Sequence, residues 1–353
     1  MIASAAVETA FEPPIQAVPG RRSLWDFVQT SGFQSLVVGA SKDPNAKVTI
    51  LLVSPESGLP VLAVKAPTTD RAAVAVETEW RVLSHLQTLP AGELLDTIPR
   101  PIDVLEFDGR QAVVTTAVPG TPMTTSYFRS RRRRSSARVA SDFAAVADWL
   151  SSFRRATAGE PSALEMDAGV TDRLRQRFAG EDRLEADLDR LAEIHATLRR
   201  ETVPRTAVHG DFWFGNLLLA EGQVTGVVDW EAGAPSGEPA RDLARFALMY
   251  ALYFAGSARP RRRVPGHPAI PVGVWGAAVE YALDGSGWFP DLFRQFLGDG
   301  LARLGASPAA WRGLALAGIA ETAAFTDDDE FAHLHLNLFR QVAHAQHGRE
   351  ETT

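Results

Sequence analysis

The most chemically suggestive stretch of the chain is a polar segment at residues 209–216, which ends where an apolar run at 217–219 begins. Asp211 stands near its start and Asn216 at its end, and Asp229 closes the next apolar run. If the two runs pair as a hairpin, Asn216 and Asp229 meet at one end. Such a pair of oxygen ligands suits Mg²⁺, which takes few protein ligands beside phosphate oxygens and water. Asp211 can accept or orient the proton of an attacking hydroxyl, so the segment indicates phosphoryl transfer.

A lysine inside an apolar run is the second chemical signal. Lys65 is one of three lysines in the chain and lies near the end of the run at 61–66. A buried ammonium is costly without anionic partners, such as nucleotide phosphates or a carboxylate from the following helix. Glu77 and Glu79 both lie on that helical segment, at 70–88. They differ by about 200° around a helix, so only one of them can face the sheet.

The secondary structure expected around these side chains changes along the chain, from strands to helices. Apolar runs rich in Val, Ile and Leu, separated by turn residues, predict strands at 33–38, 47–53, 61–66, 103–107 and 111–116. After Val118-Pro119-Gly120 the apolar residues recur at helical spacing, as in Phe143, Val146, Leu150 and Phe153. This order predicts an α+β chain, with a five-stranded antiparallel sheet and one helix followed by a mostly helical region.

The segment from His209 to Asn216, with the Asp229-Trp230 pair after it, resembles the aminoglycoside phosphotransferase family and the related choline, homoserine and fructosamine kinases. The family pattern is H-G-D-x-x-x-x-N, then an apolar strand ending in D-W or D-F. The resemblance implies a protein-kinase-like two-lobed fold. It also implies that Asp211 is the catalytic base, that Asn216 and Asp229 bind Mg²⁺, and that His209 is structural.

The same resemblance extends to the nucleotide site. It implies that Lys65 holds the nucleotide phosphates and pairs with Glu79, because Glu79 precedes Leu83 as in the family's E-x-x-x-L. It further implies that the C=O of Thr116 and the N–H of Val118 bond the base in the connector between the lobes.

Three further features of the resemblance lie outside the catalytic segment. Thr116-Ala117 replaces the family's usual acidic and aromatic pair, so the choice between ATP and GTP stays open. The phosphate-covering loop has a single glycine, and Ser41 is the candidate for its phosphate contact. Asp242, in a G-x-P-x-x-D-L-A motif before a helix, is expected to support the catalytic loop or cap the helix.

Trp213 and Phe214 interrupt the catalytic segment with two large aromatic rings. They fit an aromatic wall for a substrate and internal packing equally well.

Composition and missing motifs argue against several other functional classes of protein. The net charge of −7 argues against binding of nucleic-acid polymers, and the lack of cysteine excludes disulfides and thiolate nucleophiles. A P-loop motif is absent, and no apolar stretch is long enough to cross a membrane. With no signal-peptide pattern at the start, a cytoplasmic protein is expected.

We therefore expect three segments, namely a flexible arm at 1–20, a nucleotide-binding lobe at 21–117, and a helical lobe with the catalytic loop and the acceptor site at 118–353. The predicted activity is Mg²⁺-dependent transfer of the γ-phosphoryl group of ATP or GTP to a hydroxyl of a small molecule, such as an aminoglycoside, a sugar or an amino alcohol. The alternative is a catalytically inactive nucleotide-binding scaffold of the same fold. The sequence leaves the oligomeric state open.

Overall fold

The chain divides by its internal contacts into two compact units. The computed structural model describes residues 22–40, 44–128, 135–255, 264, 266–271 and 273–344. Ser41 and the arm predicted at 1–20 lie outside the described residues. One unit comprises Met1–Arg81 with Arg100–Ala117, and the other comprises Val82–Pro99 with Val118–Thr353. Residues 82–99, which the sequence places in the N-terminal lobe, therefore group with the second unit.

The first unit is built on a five-stranded antiparallel sheet, which confirms the predicted fold class. Its strands follow the order β1-β2-β3-β5-β4, so β5 inserts between β3 and the edge strand β4. The strands are β1 (Gln34–Ala40), β2 (Lys47–Val53), β3 (Pro60–Pro67), β4 (Pro101–Phe107) and β5 (Arg110–Thr116).

One face of this sheet is apolar because side chains alternate along each strand. Leu52, Val64 and Val114 are fully buried there, together with Leu24 of the short helix α1 (Leu24–Thr30). The sheet and its covering helix therefore form a small core of their own, on which the central strand β3 is rigidly held.

The helix predicted after β3 is α2 (Asp70–Leu86). Thr69 precedes it, and its hydroxyl accepts a hydrogen bond from the backbone N–H of Ala72 at 3.1 Å. Thr69 thus satisfies one of the free donors at the helix start, while Asp70, the first helical residue, pairs with Arg110. Val76 is fully buried, as its helical spacing predicts.

The second unit is mostly helical. Its helices are α3 (Met123–Tyr127), α4 (Ser136–Thr157), α5 (Val170–Arg177), α6 (Leu184–Leu198), α7 (Pro239–Leu252), α8 (Ala277–Asp284), α9 (Trp288–Arg303), α10 (Trp311–Phe325) and α11 (Asp329–His344). The stripe predicted on α4 is buried in a core that also contains Phe212, Trp230 and Tyr250. None of the described helices combines the length and the apolarity needed to span a bilayer.

Short strands interrupt the helices of this unit. They are β6 (Thr121–Pro122), β7 (Pro161–Ala163), β8 (Thr202–Pro204), β9 (Thr206–Val208), β10 (Leu217–Ala220), β11 (Gln223–Val227) and β12 (Ala234–Gly237). Antiparallel pairs form between β10 and β11, β10 and β6, β9 and β12, and β7 and β8. The strands β9, β10, β11 and β12 bracket the polar segment at 209–216 and the turn at 228–233.

Candidate active site

The hairpin expected from the sequence is present. Leu217 of β10 pairs with Val227 of β11, and the backbone N–H of Val228 donates to the carbonyl oxygen of Asn216 at 3.0 Å. Asn216 therefore lies opposite Val228, and Asp229 follows one residue later, beyond the paired ends of the two strands.

The chain turns abruptly at Asp229. This residue has φ 70° and ψ 61°, in the left-handed region that costs a residue with a side chain about 1–3 kcal/mol. Trp230, the next residue, is completely buried, and its indole N–H donates to the carbonyl of Val227 at 2.8 Å. The buried indole anchors the turn and so fixes the backbone of Asp229, from which its carboxyl projects.

The imidazole of His209 ties the catalytic segment to this hairpin. Its Nδ1 accepts the backbone N–H of Asp211 at 3.3 Å, which leaves the ring proton on Nε2. Nε2 then donates to the carbonyl of Val228 at 2.9 Å. The completely buried ring thus connects the residue before Asp229 with the residue that carries the predicted base.

Asp242, on the first turns of α7, supports the same segment from the other side. Its carboxylate accepts the backbone N–H of His209 at 2.8 Å and that of Gly210 at 2.9 Å. Gly210 has φ +79°, and a Cβ there would lie 2.0 Å from the carbonyl oxygen of Ala232. Burial raises the pKa of Asp242, and His209, the two backbone donors and Arg154 act against that rise. Asp242 therefore supports the loop, whereas Glu238 caps α7.

A buried arginine that the sequence analysis missed lies behind Asp242. Arg154, in the last turn of α4, donates from Nη2 to the carbonyl of Pro239 at 3.0 Å. Burial lowers the pKa of Arg154 to about 10, against the attraction of Asp242 and Glu238. It still carries a proton at neutral pH and balances the two acidic side chains at the start of α7. Its sequence position, among polar residues at a helix end, carries no signal of this role.

The amide of Asn216 has a defined orientation. Its Nδ2 donates to the carbonyl oxygen of Asp211 at 2.9 Å and to Oδ2 of the same residue at 3.3 Å. Because both donor contacts go to Asp211, the amide oxygen is the atom left for another ligand. Together with the Asp229 carboxylate, this donor set fits Mg²⁺, which binds hard oxygen ligands.

A second arginine missed from the sequence contacts the predicted base itself. Arg245, on α7, donates from Nε to Oδ1 of Asp211 at 3.0 Å, and its Nη2 lies 2.8 Å from the same oxygen as an ion pair. Its Nη1 donates to the hydroxyl of Thr322 on α10 at 3.2 Å. The signal that would have found it is spacing, since Arg245 follows Asp242 by three residues and so shares its helix face.

A cavity that is partly open to solvent borders this pair. A cavity of about 290 Å³ is lined by the loop at 210–211, the turn at 231–232 and the helices α7 and α10. Its charged lining residues are Asp211, Glu231, Arg241, Arg245, Glu321 and Asp327. Arg241 pairs with Glu321 at 3.0 Å. Burial raises the pKa of Glu321, and Arg241 and Arg245 oppose that rise.

The two aromatic residues of the segment have different surroundings. Phe214 is completely buried and stacks on Tyr127, with ring centroids 4.2 Å apart, so it serves packing. Trp213 is partly exposed and contacts Phe214 and Tyr253. A Cβ on Gly215 would lie 2.2 Å from the Trp213 indole, so this glycine gives the ring its space.

In the first unit, Lys65 of β3 faces α2. Its Nζ lies 2.8 Å from Oε1 and 2.7 Å from Oε2 of Glu79. Glu77 points elsewhere and lies 3.8 Å from Arg81. The structure thus brings Lys65 and Glu79 together, while their part in nucleotide binding stays a prediction.

Thr116 is the last residue of β5, and Val118 follows it after one residue. The Thr116 N–H donates to the carbonyl of Arg100 at 2.9 Å, and its hydroxyl accepts the Arg100 N–H at the same distance. The predicted contacts of Thr116 and Val118 with a nucleotide base stay a prediction.

This fold and site define a phosphotransferase of the protein-kinase-like class. The model of the phosphotransferase enzyme family APH matches residues 49–271, well over half of the chain. The chain therefore belongs to this family.

Solved structures agree on the fold. A thermostable mutant of aminoglycoside phosphotransferase APH(4)-Ia, in a complex with AMP-PNP and hygromycin B, superposes with a TM-score of 0.57 at 11% identity, covering 90% of this chain and 96% of that one. The streptomycin–ATP complex of APH(2'')-IIa gives a TM-score of 0.52 at 14% identity, covering 89% and 93%. At such low identity the likeness shows the fold alone. The comparison with curated proteins gives no match.

Proposed function

We propose that the protein transfers the γ-phosphoryl group of ATP or GTP to a hydroxyl group of a small molecule. The observation that carries this proposal is the construction around Asp211. Its backbone is held by His209, its loop by Asp242, and its carboxylate forms part of the wall of a cavity. The amide of Asn216 donates to Asp211 and leaves its own oxygen for another ligand. A carboxylate and an amide held in this way suit phosphoryl transfer, in which positioning and charge stabilisation dominate.

In the reaction, a hydroxyl of the acceptor places its proton on Asp211 as its oxygen forms a bond to the γ-phosphorus. The bond between that phosphorus and the bridging oxygen breaks, and the nucleoside diphosphate leaves. Asn216 and Asp229 would hold Mg²⁺, which supplies neutralisation of the phosphate charge. Lys65, oriented by Glu79, would bind the nucleotide phosphates, with Ser41 as a further contact and the backbone of Thr116 and Val118 as contacts to the base.

The acceptor would occupy the cavity beside Asp211. Its charged lining contains four carboxylates and two guanidinium groups, and each guanidinium is paired with one of the carboxylates. Acidic groups thus outnumber basic groups in the lining, a composition that favours an acceptor with cationic groups. An aminoglycoside or an amino alcohol has this chemistry, and a neutral sugar lacks it. Two structural neighbours contain hygromycin B and streptomycin, in keeping with such acceptors.

A turnover assay tests the proposal. The purified protein is incubated with Mg-ATP or Mg-GTP and a panel of aminoglycosides, sugars and amino alcohols, while diphosphate release is followed and products are weighed by mass spectrometry. The expected product is heavier than its acceptor by one phosphoryl group. A product heavier by a nucleotidyl group contradicts the proposed reaction. Nucleotide binding in a thermal-shift assay, without turnover of any acceptor, supports the inactive scaffold instead.

A further inference from the structure

We propose that Arg245 is a positioning residue for the transfer reaction, which holds the Asp211 carboxylate so that Oδ2 is the oxygen that receives the acceptor's proton. This inference rests on the proposed function and deepens it. It concerns an arginine on α7, outside the H-G-D-x-x-x-x-N segment, that touches the base instead of the substrate phosphates.

The hydrogen bonds of the carboxylate distinguish its two oxygens. Oδ1 of Asp211 accepts a hydrogen bond from Nε of Arg245 at 3.0 Å and lies 2.8 Å from Nη2 of the same guanidinium. Both contacts of the guanidinium fall on Oδ1, so this oxygen is the one that faces the positive charge. Oδ2 receives Nδ2 of Asn216 at 3.3 Å, a long contact. A lone pair of Oδ2 therefore stays available, and it is the stronger acceptor for an incoming hydroxyl.

The guanidinium is itself held from behind. Its Nη1 donates to Oγ1 of Thr322 at 3.2 Å, and the same hydroxyl donates to the carbonyl of Gly318 at 2.9 Å. The hydroxyl hydrogen of Thr322 therefore points along its own helix, and a lone pair of the hydroxyl oxygen accepts the bond from Arg245. Gly318 permits the close approach of α10 to α7, because a Cβ there would lie 2.8 Å from Leu248 and 3.1 Å from Ala244.

This arrangement couples the base to the two helices that line the cavity. Without Arg245, the side chain of Asp211 keeps its backbone position but loses the partner that selects one rotation of its carboxylate, a torsion that is intrinsically broad. The acceptor hydroxyl then meets the correct oxygen in only part of the population. The loss falls on the transfer step and leaves nucleotide binding in place, since the contacts of Arg245 in this structure are with Asp211 and Thr322.

Arginine is suited to this role by its shape. Its nitrogens are fixed in one plane, so Nε can donate to Asp211 while Nη1 donates to Thr322 and holds the guanidinium in place. A lysine at this position offers a single nitrogen on a flexible stem, so it restores the charge but leaves the carboxylate free to rotate. Arg245→Lys therefore separates orientation from electrostatics.

The test compares Arg245→Met, Arg245→Lys and a matched control, Arg173→Met, which changes an exposed arginine on α5. We expect kcat of Arg245→Met to fall about 10- to 100-fold, with the KM for nucleotide changed less than about threefold. Arg245→Lys should recover only a small part of the loss. Added guanidinium ion at a sub-denaturing concentration should raise kcat of Arg245→Met and leave the wild type unchanged. The control should match the wild type.

A kcat within twofold of the wild type for Arg245→Met, or full recovery with lysine, would overturn the positioning role. A second measurement is independent of turnover: thermal unfolding of the wild type, Asp211→Asn, Arg245→Met and the double variant. Non-additive midpoints are expected from the pair, and strictly additive ones would show that the contact is absent in solution. If the wild type turns over no acceptor, the proposed function fails and the positioning role with it, while the thermal cycle still judges the pair.

Discussion

Two ion pairs of the candidate functional residues, one in each unit, differ in how far water reaches them. In the first unit, Lys65 and Glu79 are almost enclosed, with side-chain exposures of 14% and 3%. In the second unit, Asp211 and Arg245 are more open, at 34% and 27%. Both pairs have short contacts, so distance alone does not separate them.

The difference in burial indicates different duties. Removing one partner of an enclosed pair leaves an uncompensated charge in a poor solvent, which is strongly unfavourable. Removing one partner of an open pair costs little, because water replaces it. The enclosed pair therefore contributes to the stability of the sheet and α2, and the open pair leaves a carboxylate oxygen accessible to an acceptor.

The largest expected effect is on activity, at the open pair. Asp211→Asn should lower kcat by about 10²–10⁴-fold, since an amide cannot accept the acceptor's proton. Nucleotide binding, followed by thermal shift with Mg-ATP, should stay close to that of the wild type. The control is Asp189→Asn, which changes an exposed aspartate on α6. A near-normal rate for Asp211→Asn would show that another group is the base.

At the enclosed pair the effect should appear in stability. Lys65→Met should lower the free energy of unfolding by about 3–5 kcal/mol, because it leaves Glu79 buried without its lysine. Arg245→Met should lower it by no more than about 1 kcal/mol. Urea titrations of both variants check this contrast. Equal losses would contradict the comparison of the two pairs.

If burial in this chain penalises charge, the penalty should also appear at His335, which has no carboxylate partner among the residues that the structure describes. Burial lowers the pKa of His335 from its ordinary 6.5 to about 4, with a smaller effect from the charge of Arg245. The unfolded chain then binds more protons than the folded one below pH 6.5, so stability falls as the pH decreases towards 4. The full loss is about 3 kcal/mol.

His335→Leu removes this titration and should flatten the decline in stability between pH 6.5 and 4. Urea titrations of the wild type and the variant across this range measure the difference between their slopes. Parallel slopes would mean that His335 is protonated in the folded state and that burial penalises its charge far less than expected.

A smaller effect is expected at Asp242, a buried carboxylate without a direct ion pair to its own oxygens in the described contacts. Asp242→Asn can accept only one of the N–H groups of His209 and Gly210 and turns a donor towards the other. The free energy of unfolding should fall by about 1–3 kcal/mol, and kcat should fall because the loop loosens. If stability and kcat both stay unchanged, the hydrogen bonds to Asp242 do not hold the loop.

Periodicity and motif spacing predicted the frame of the molecule. All five strands of the first sheet, the helix after β3 and the hairpin β10–β11 follow from apolar alternation and turn residues. The cap of α2 is Thr69, although the Thr-Thr-Asp sequence offers several capping side chains, because only the backbone geometry selects one of them.

Local spacing along the chain was enough to identify the segment from His209 to Asn216, the turn at Asp229 and the strand that carries Lys65. The distant charges around them became visible only with the packing of the helices. Arg245 reaches Asp211 across 34 residues of sequence, and Arg154 reaches the carbonyl of Pro239, beside Asp242, across 85 residues. Such contacts depend on how helices pack in three dimensions, and helical spacing along the chain records which face is buried without recording what it is buried against.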